Sequence, residues 1–165
     1  MAAFSSCVKQ DEVYAPPHQR RPLAGPDTSR LKHFVAMNDP DAPAHFLRDI
    51  NGRLEGGLWR WTAQHPRLRL VLPPNPGRLK LQIEFTIPSG VLEQTGPLTV
   101  KFFLNQRDLE TVTLTQPGEH RREWPVDPAW LAAEDNVLGA DLSKVFVGED
   151  GAQLGLALVR AGFVN

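Results

Sequence analysis

An antiparallel β-sandwich is the fold this sequence predicts. Residues 78–87, Arg-Leu-Lys-Leu-Gln-Ile-Glu-Phe-Thr-Ile, alternate polar and apolar without a fault. Successive side chains of a strand point to opposite faces. Leu79, Leu81, Ile83, Phe85 and Ile87 therefore line a buried face, and the charges line a wet one. Turn-forming clusters separate such runs at regular spacing and leave about seven or eight short strands. No amphipathic stretch of about 10–15 residues alternates with the strands, which argues against a parallel α/β sheet.

Within the tail of residues 1–30, residues 8–30 carry Pro16, Pro17, Pro22 and Pro26, charges of both signs and almost no apolar periodicity. Such a segment buries too little surface to offset its ordering entropy, so a disordered, flexible linker is expected there. Pro16-Pro17 should make it locally extended. The sandwich domain is expected over residues 31–165. Trp59 and Trp61 lie in a strand, and Arg67 to Leu72 repeats the alternation. Pro73-Pro74-Asn75-Pro76-Gly77 breaks the chain before the strand at 78–87. Leu98, Val100, Phe102 and Leu104 define the next inward face, and Asn105-Gln106-Arg107 connects it to a returning strand at 109–114. In that strand Val112 and Leu114 are in phase and Leu109 is not, which predicts a bulge.

A short strand follows from Arg121 to Val126. Asp127 can cap a short helix over 128–133, with Pro128 at its first position. Val137 to Val147 reads as strand, and Gly148-Glu149-Asp150-Gly151 as a turn. Leu154, Leu156 and Leu158 begin the last strand. Trp124 and Trp130 are expected in the core and against the helix. This order resembles jelly-roll domains of the galactose-binding-like class. The resemblance implies a jelly-roll sandwich and no particular function.

Composition narrows the function classes. A formal net charge of −1 offers no basic stripe, so nucleic acid is not an expected partner. No apolar run approaches the roughly 20 residues of a membrane-spanning helix. His18, His33, His45, His65 and His120 are scattered without metal-ligand spacing, so no zinc site is expected. The sequence has no Gly-x-Ser-x-Gly, no phosphate-cradling glycine loop and no dinucleotide fingerprint, and no cofactor is expected. Asp49 and Glu55 could serve as acid and base, but solvated loop residues explain them as well. Asn38-Asp39-Pro40-Asp41 with Glu55 could offer oxygens to calcium; a surface turn is the simpler reading.

Cys7 is the only cysteine, so it cannot form an internal disulfide. Ala3-Phe4-Ser5-Ser6-Cys7 resembles the end of a bacterial lipoprotein signal, where small residues precede a modified cysteine. The resemblance implies acyl chains on Cys7 and an anchor from which the linker lifts the domain. It places the leader's apolar run upstream of Met1. Val8 in place of aspartate implies sorting to an outer membrane. Residues 13–23 (Val-Tyr-Ala-Pro-Pro-His-Gln-Arg-Arg-Pro-Leu), 55–62 and 154–164 resemble a group of uncharacterised bacterial envelope lipoproteins, which implies a periplasmic or outer-membrane location. The residues alone also fit a free thiol in a reducing compartment.

Trp59 and Trp61 are the leading binding candidates, because at i and i+2 they project to one face. Two neighbouring indoles make a platform for sugar rings, and Arg60 and Arg69 could add directed hydrogen bonds. In the competing reading that face is the core, with Leu58, Arg60 and Thr62 outward. The expectation is a non-enzymatic, lipid-anchored envelope sandwich that presents a surface to a protein or a glycan. The alternatives are a carbohydrate-binding module built on Trp59 and Trp61, an assembly module of the envelope, and a soluble cytosolic interaction domain without an anchor.

Overall fold

The computed structural model describes residues 30–165. The expected linker and the anchor at Cys7 lie outside the described residues. In chain order the strands are β1 (Phe34–Ala36), β2 (Phe46–Ile50), β3 (Arg60–Leu70) and β4 (Lys80–Ile87). They continue with β5 (Leu98–Leu104), β6 (Arg107–Leu114), β7 (Gly118–Pro125) and β8 (Asn136–Leu142). The series closes with β9 (Phe146–Val147), β10 (Gln153–Leu154) and β11 (Ala157–Val164). Every pairing among them is antiparallel. The fold is therefore the expected all-β sandwich, nearly closed along one side.

One layer runs β7-β4-β11-β1 and the other β6-β5-β8-β3-β2. Strand β3 joins them: Arg60 and Trp61 pair with β11, whereas Arg67 to Leu70 pair with β8. The alternation seen in the sequence faces inward as expected. Leu98, Val100, Phe102 and Leu104 of β5 are fully buried, as are Leu81 and Ile87 of β4. Phe102 bridges the layers, with its ring 5.9 Å from Phe85 of β4 and 5.1 Å from Trp124 of β7. Glu110 of β6 accepts the Trp124 indole N–H at 3.1 Å and so ties the open edges of the two layers together.

Local details follow from single residues. Asn105 takes a left-handed φ of 55° at the β5–β6 turn. Its side chain reaches the carbonyl of Trp130 (2.7 Å) and the amide of Val137 (2.9 Å). The predicted bulge is present: Phe102 opposes Glu110 and Phe103 opposes Asp108, so Leu109 is the extra residue. Gly162 of β11 is required by the close passage of β1. A Cβ there would lie 2.3 Å from the His33 carbonyl oxygen and 2.4 Å from Phe34 Cα.

Some expectations are corrected. The helix expected over 128–133 is a single 3-10 turn, Pro128–Trp130, and Leu131 is already extended. Asp127 caps it as predicted, accepting from Ala129 N at 2.9 Å. The α-helix of the structure is α1 (Ser89–Thr95), in the link between β4 and β5, where Val91 docks on the core. The strand expected from Val137 to Val147 stops at Leu142, and the last strand starts at Ala157. In the gap, Gly155 N bonds the Thr62 carbonyl at 2.7 Å and Leu156 N bonds Thr62 Oγ1 at 3.0 Å. These cross-links to β3 take the chain out of the plain ladder.

Candidate functional site

Strand β11 changes neighbours halfway along, and a groove opens where it does. Ala157 and Leu158 pair with β3; Arg160 to Gly162 pair with β1. Against β4, Leu158 opposes Phe85 and Arg160 opposes Glu84, which leaves Val159 bulged. A bulge bends the strand, and the Val159 carbonyl at the switch accepts from Met37 N at 2.8 Å. The open groove there has a volume of about 680 Å³, with Leu58 and Trp59 at its β3 side, Glu84 and Arg121 on β4 and β7 across it, and Arg160 of β11 between them.

Trp59 sits just ahead of β3, held by a tight turn. Its N–H and that of Leu58 both bond the Glu55 carbonyl, at 3.2 and 3.0 Å. Gly56 and Gly57 supply the left-handed backbone the turn needs (φ 56° and 69°). Trp61 meets the Trp59 ring edge to face, with centroids 5.0 Å apart at 89°. Both indoles are partly buried, and Trp61 also packs on the core. Leu58 beside them is 51% exposed.

The inward face of β3 is the even-numbered one. The alternative with Arg60 and Thr62 outward is corrected: they are 7% and 1% exposed. A buried guanidinium must have partners. Arg60 Nε donates to the Met37 carbonyl at 2.9 Å, Nη1 bonds the Gly52 carbonyl, and the group lies 5.4 Å over the Phe46 ring. Arg60 thus ties the start of β3 to Met37, Gly52 and Phe46 and is not among the residues that line the groove.

Arg69 stands nine residues beyond Arg60 on β3 and pairs with Asp135 at 3.4 Å. The two tryptophans are together; the two arginines are not with them. Asp39 and Asp41 share Lys32, at 2.5 and 3.6 Å, as members of a surface turn. Lys32 holds the Asp39 carboxyl below its ordinary value. Glu55 pairs with Arg53 at 3.1 Å, and Asp49 accepts the His65 amide at 2.8 Å.

Sequence reasoning missed the opposite wall. Glu84 lies directly between Arg160 on β11 and Arg121 on β7, one residue from each of three adjacent strands. Arg160 Nε donates to Glu84 at 2.6 Å, and Arg121 Nε lies 3.8 Å from it. Glu84 is 17% exposed, its two cations 48% and 59%. Arg121 also donates to Gln82 (2.9 Å) and Glu123 (3.1 Å). Lys80 and Arg121 hold the Glu123 carboxyl below its ordinary value. Outward polarity was visible in the alternation of 78–87; the register that aligns the three residues was not.

No family model matches the chain. No curated protein matches it. Among solved structures the chain is similar to a family GH115 4-O-methyl-alpha-glucuronidase with specificity for decorated arabinogalactans. The identity is 9% and the TM-score 0.47, over 96% of this chain and 20% of that one. The chain spans about a fifth of that protein's length, and a likeness this distant says nothing of activity or ligand.

Proposed function

We propose that this domain is a non-catalytic binding module that takes a glycan into the groove at the β3–β11 switch, with a sugar ring against Trp59. The observation that carries the reading is a partly exposed indole on one wall of an open groove with hydrogen-bonding side chains on the other. Sugar rings present apolar C–H faces and polar edges, and such a groove meets both. The geometry supports Trp59 as the stacking ring and Trp61 as its edge-on support, in place of a flat two-indole platform. In its fuller form the proposal places the domain at a bacterial envelope, held by a lipid on Cys7. The residues around Cys7 are what support that part, and mass spectrometry of the native protein tests it: an acylated N-terminal cysteine is expected, and an unmodified Met1 overturns the anchor.

The binding test is a titration with soluble polysaccharides, followed by tryptophan fluorescence and iodide quenching. Ligand should shield an indole from iodide, and Trp59→Ala should weaken binding about tenfold, the loss of about one stacking contact. Binding that is equally tight in Trp59→Ala overturns the reading. A protein partner is the second reading, favoured by the exposed Leu58 at the groove lip. In that case Leu58→Asp abolishes capture by the partner while glycans never shield the indoles.

A further inference from the structure

We infer that the groove selects an acidic sugar, with Arg160 as the residue that grips its carboxylate; the inference rests on the glycan reading above. The argument starts from how the three rungs of the charged ladder are used. Arg121 is committed to Gln82 and Glu123, with Glu84 close by. Arg160 is not: its Nε bonds Glu84, and its two terminal nitrogens have no hydrogen-bond partner among the described residues. The bond at Nε fixes the plane of the guanidinium and leaves the Nη1–Nη2 edge open. That edge is a planar fork matched to a carboxylate, and two parallel charge-assisted bonds to it are strong and directional.

The electrostatics agree. Glu84 is shielded between two cations that are each about half exposed, and Glu123 beside Arg121 is itself paired with Lys80, so three cations stand against two carboxylates and the ladder is positive on balance. The groove also contains Glu119, an exposed carboxylate on β7 opposite Thr86. Two strand spacings across and two residues along separate it from Arg160, roughly 12 Å. That exceeds the Debye length of about 8 Å at physiological salt, so Glu119 does not cancel the cation. Glu119 makes no hydrogen bond or ion pair among the described residues and can accept from sugar hydroxyls. The groove is therefore polarised. A ligand with a carboxylate at one end, an apolar ring face for Trp59 and free hydroxyls at the other end fits its three features.

The test uses polygalacturonate, alginate and hyaluronate, each as the native acid and with its carboxyl groups reduced to alcohols. At least one acid should bind about tenfold more tightly than its reduced partner, with the preference fading as salt rises. Arg160→Gln should erase that preference and leave weaker, charge-independent binding. Arg160→Lys, which keeps the charge and loses the fork, should keep only part of it. Trp59→Ala should weaken acid and reduced forms alike. Unchanged melting temperatures confirm that the variants fold. If reduced polymers bind as well as the acids, or Arg160→Gln keeps the preference, the inference falls and the glycan reading stands. If Trp59→Ala binds normally, or no polymer binds in either form, both fall.

Discussion

The outer faces of the two layers carry the same kinds of residue and differ in whether those residues are satisfied. On the β3–β8 face, Arg67 lies 4.4 Å over the ring of Phe103. It donates to the carbonyls of Pro66 (2.9 Å) and Ala140 (2.7 Å) and to Asp141 (2.7 Å). His65 approaches the same Asp141 oxygen at 2.9 Å. Burial pushes the Asp141 carboxyl up, but Arg67 and His65 together bring it below its ordinary value. On the β4–β11 face, Arg160 makes one bond and lines an open groove. In the sequence Arg67-Leu68-Arg69-Leu70 and Arg78 to Ile87 follow the same alternating rule. The difference lies in what stands beside each arginine. Phe103 roofs one face, and the bulge at Val159 opens the other. A charged residue marks a binding surface when its donors have room and no partner.

Each face also depends on one missing side chain, and replacing it breaks the comparison most strongly. On the groove face, a Cβ at Gly162 would strike the backbone of β1. Backbone cannot rotate away, so β1 must lift and the groove loses its edge. Gly162→Ala should cost about 3 kcal/mol or more, lowering the melting temperature by about 10 °C. On the closed face a Cβ at Gly139 would lie 2.2 Å from Phe103 Cζ. A ring can swing, but doing so forfeits its stack with Arg67. Gly139→Ala should cost about 2 kcal/mol. Chemical denaturation of both variants checks the order; an equal or reversed order breaks the account of what holds each face.

Much of this was legible in the chain, and the boundary is physical. Period-two hydrophobicity needs no long-range information. It revealed the inward faces of β4 and β5 and the out-of-phase Leu109 that proved to be a bulge. The inward face of β3 could not be read that way, because it carries Arg60 and Thr62. Their burial depends on the carbonyls of Met37 and Gly52 and the amide of Leu156, which lie outside β3 in the chain. Trp59 was legible as a candidate from its i, i+2 spacing to Trp61, although it stands just ahead of β3 and not within a strand. The Arg160–Glu84–Arg121 ladder was not, since its members are 76 and 37 residues apart and meet only through strand register. Helix α1 had no signal either: seven residues with one buried side chain leave almost no periodicity to read.

The two arginines sharpen the comparison directly. Arg67 is enclosed by an aromatic face and three oxygen acceptors, and removing it leaves the Ala140 carbonyl and Asp141 short of a donor. Arg67→Gln should cost about 1–2 kcal/mol. Arg160 pairs at a half-exposed site, and Arg160→Gln should change stability by less than about 0.5 kcal/mol. Urea denaturation with unchanged m-values measures both. Equal losses would mean that Arg160 is a structural residue like Arg67, and the contrast between a closed and an open face would disappear.

The smallest expected effect separates the exposed charges from a buried neutral ring that packs beside β3. His45 is fully buried beside β3. Its Nε2 faces the Lys32 amide N–H at 3.2 Å and must accept from it, so the ring proton sits on Nδ1 and donates to the Arg69 carbonyl at 2.7 Å. Burial of this neutral ring pushes its pKa below the ordinary 6.5. The unfolded chain then binds a proton near 6.5 that the folded chain refuses. Between the lowered folded value and 6.5, unfolding takes up a proton, so stability must fall as the solution is acidified through that window. Above it the contribution is complete. The melting temperature should drop on going from pH 7 to pH 5, before most carboxylates titrate. In His45→Gln, which can donate an amide N–H to Arg69 and accept from Lys32, the starting stability should be lower and the slope flatter. An unchanged slope in that variant would move the acid sensitivity to the surface ion pairs, and high salt would then weaken it.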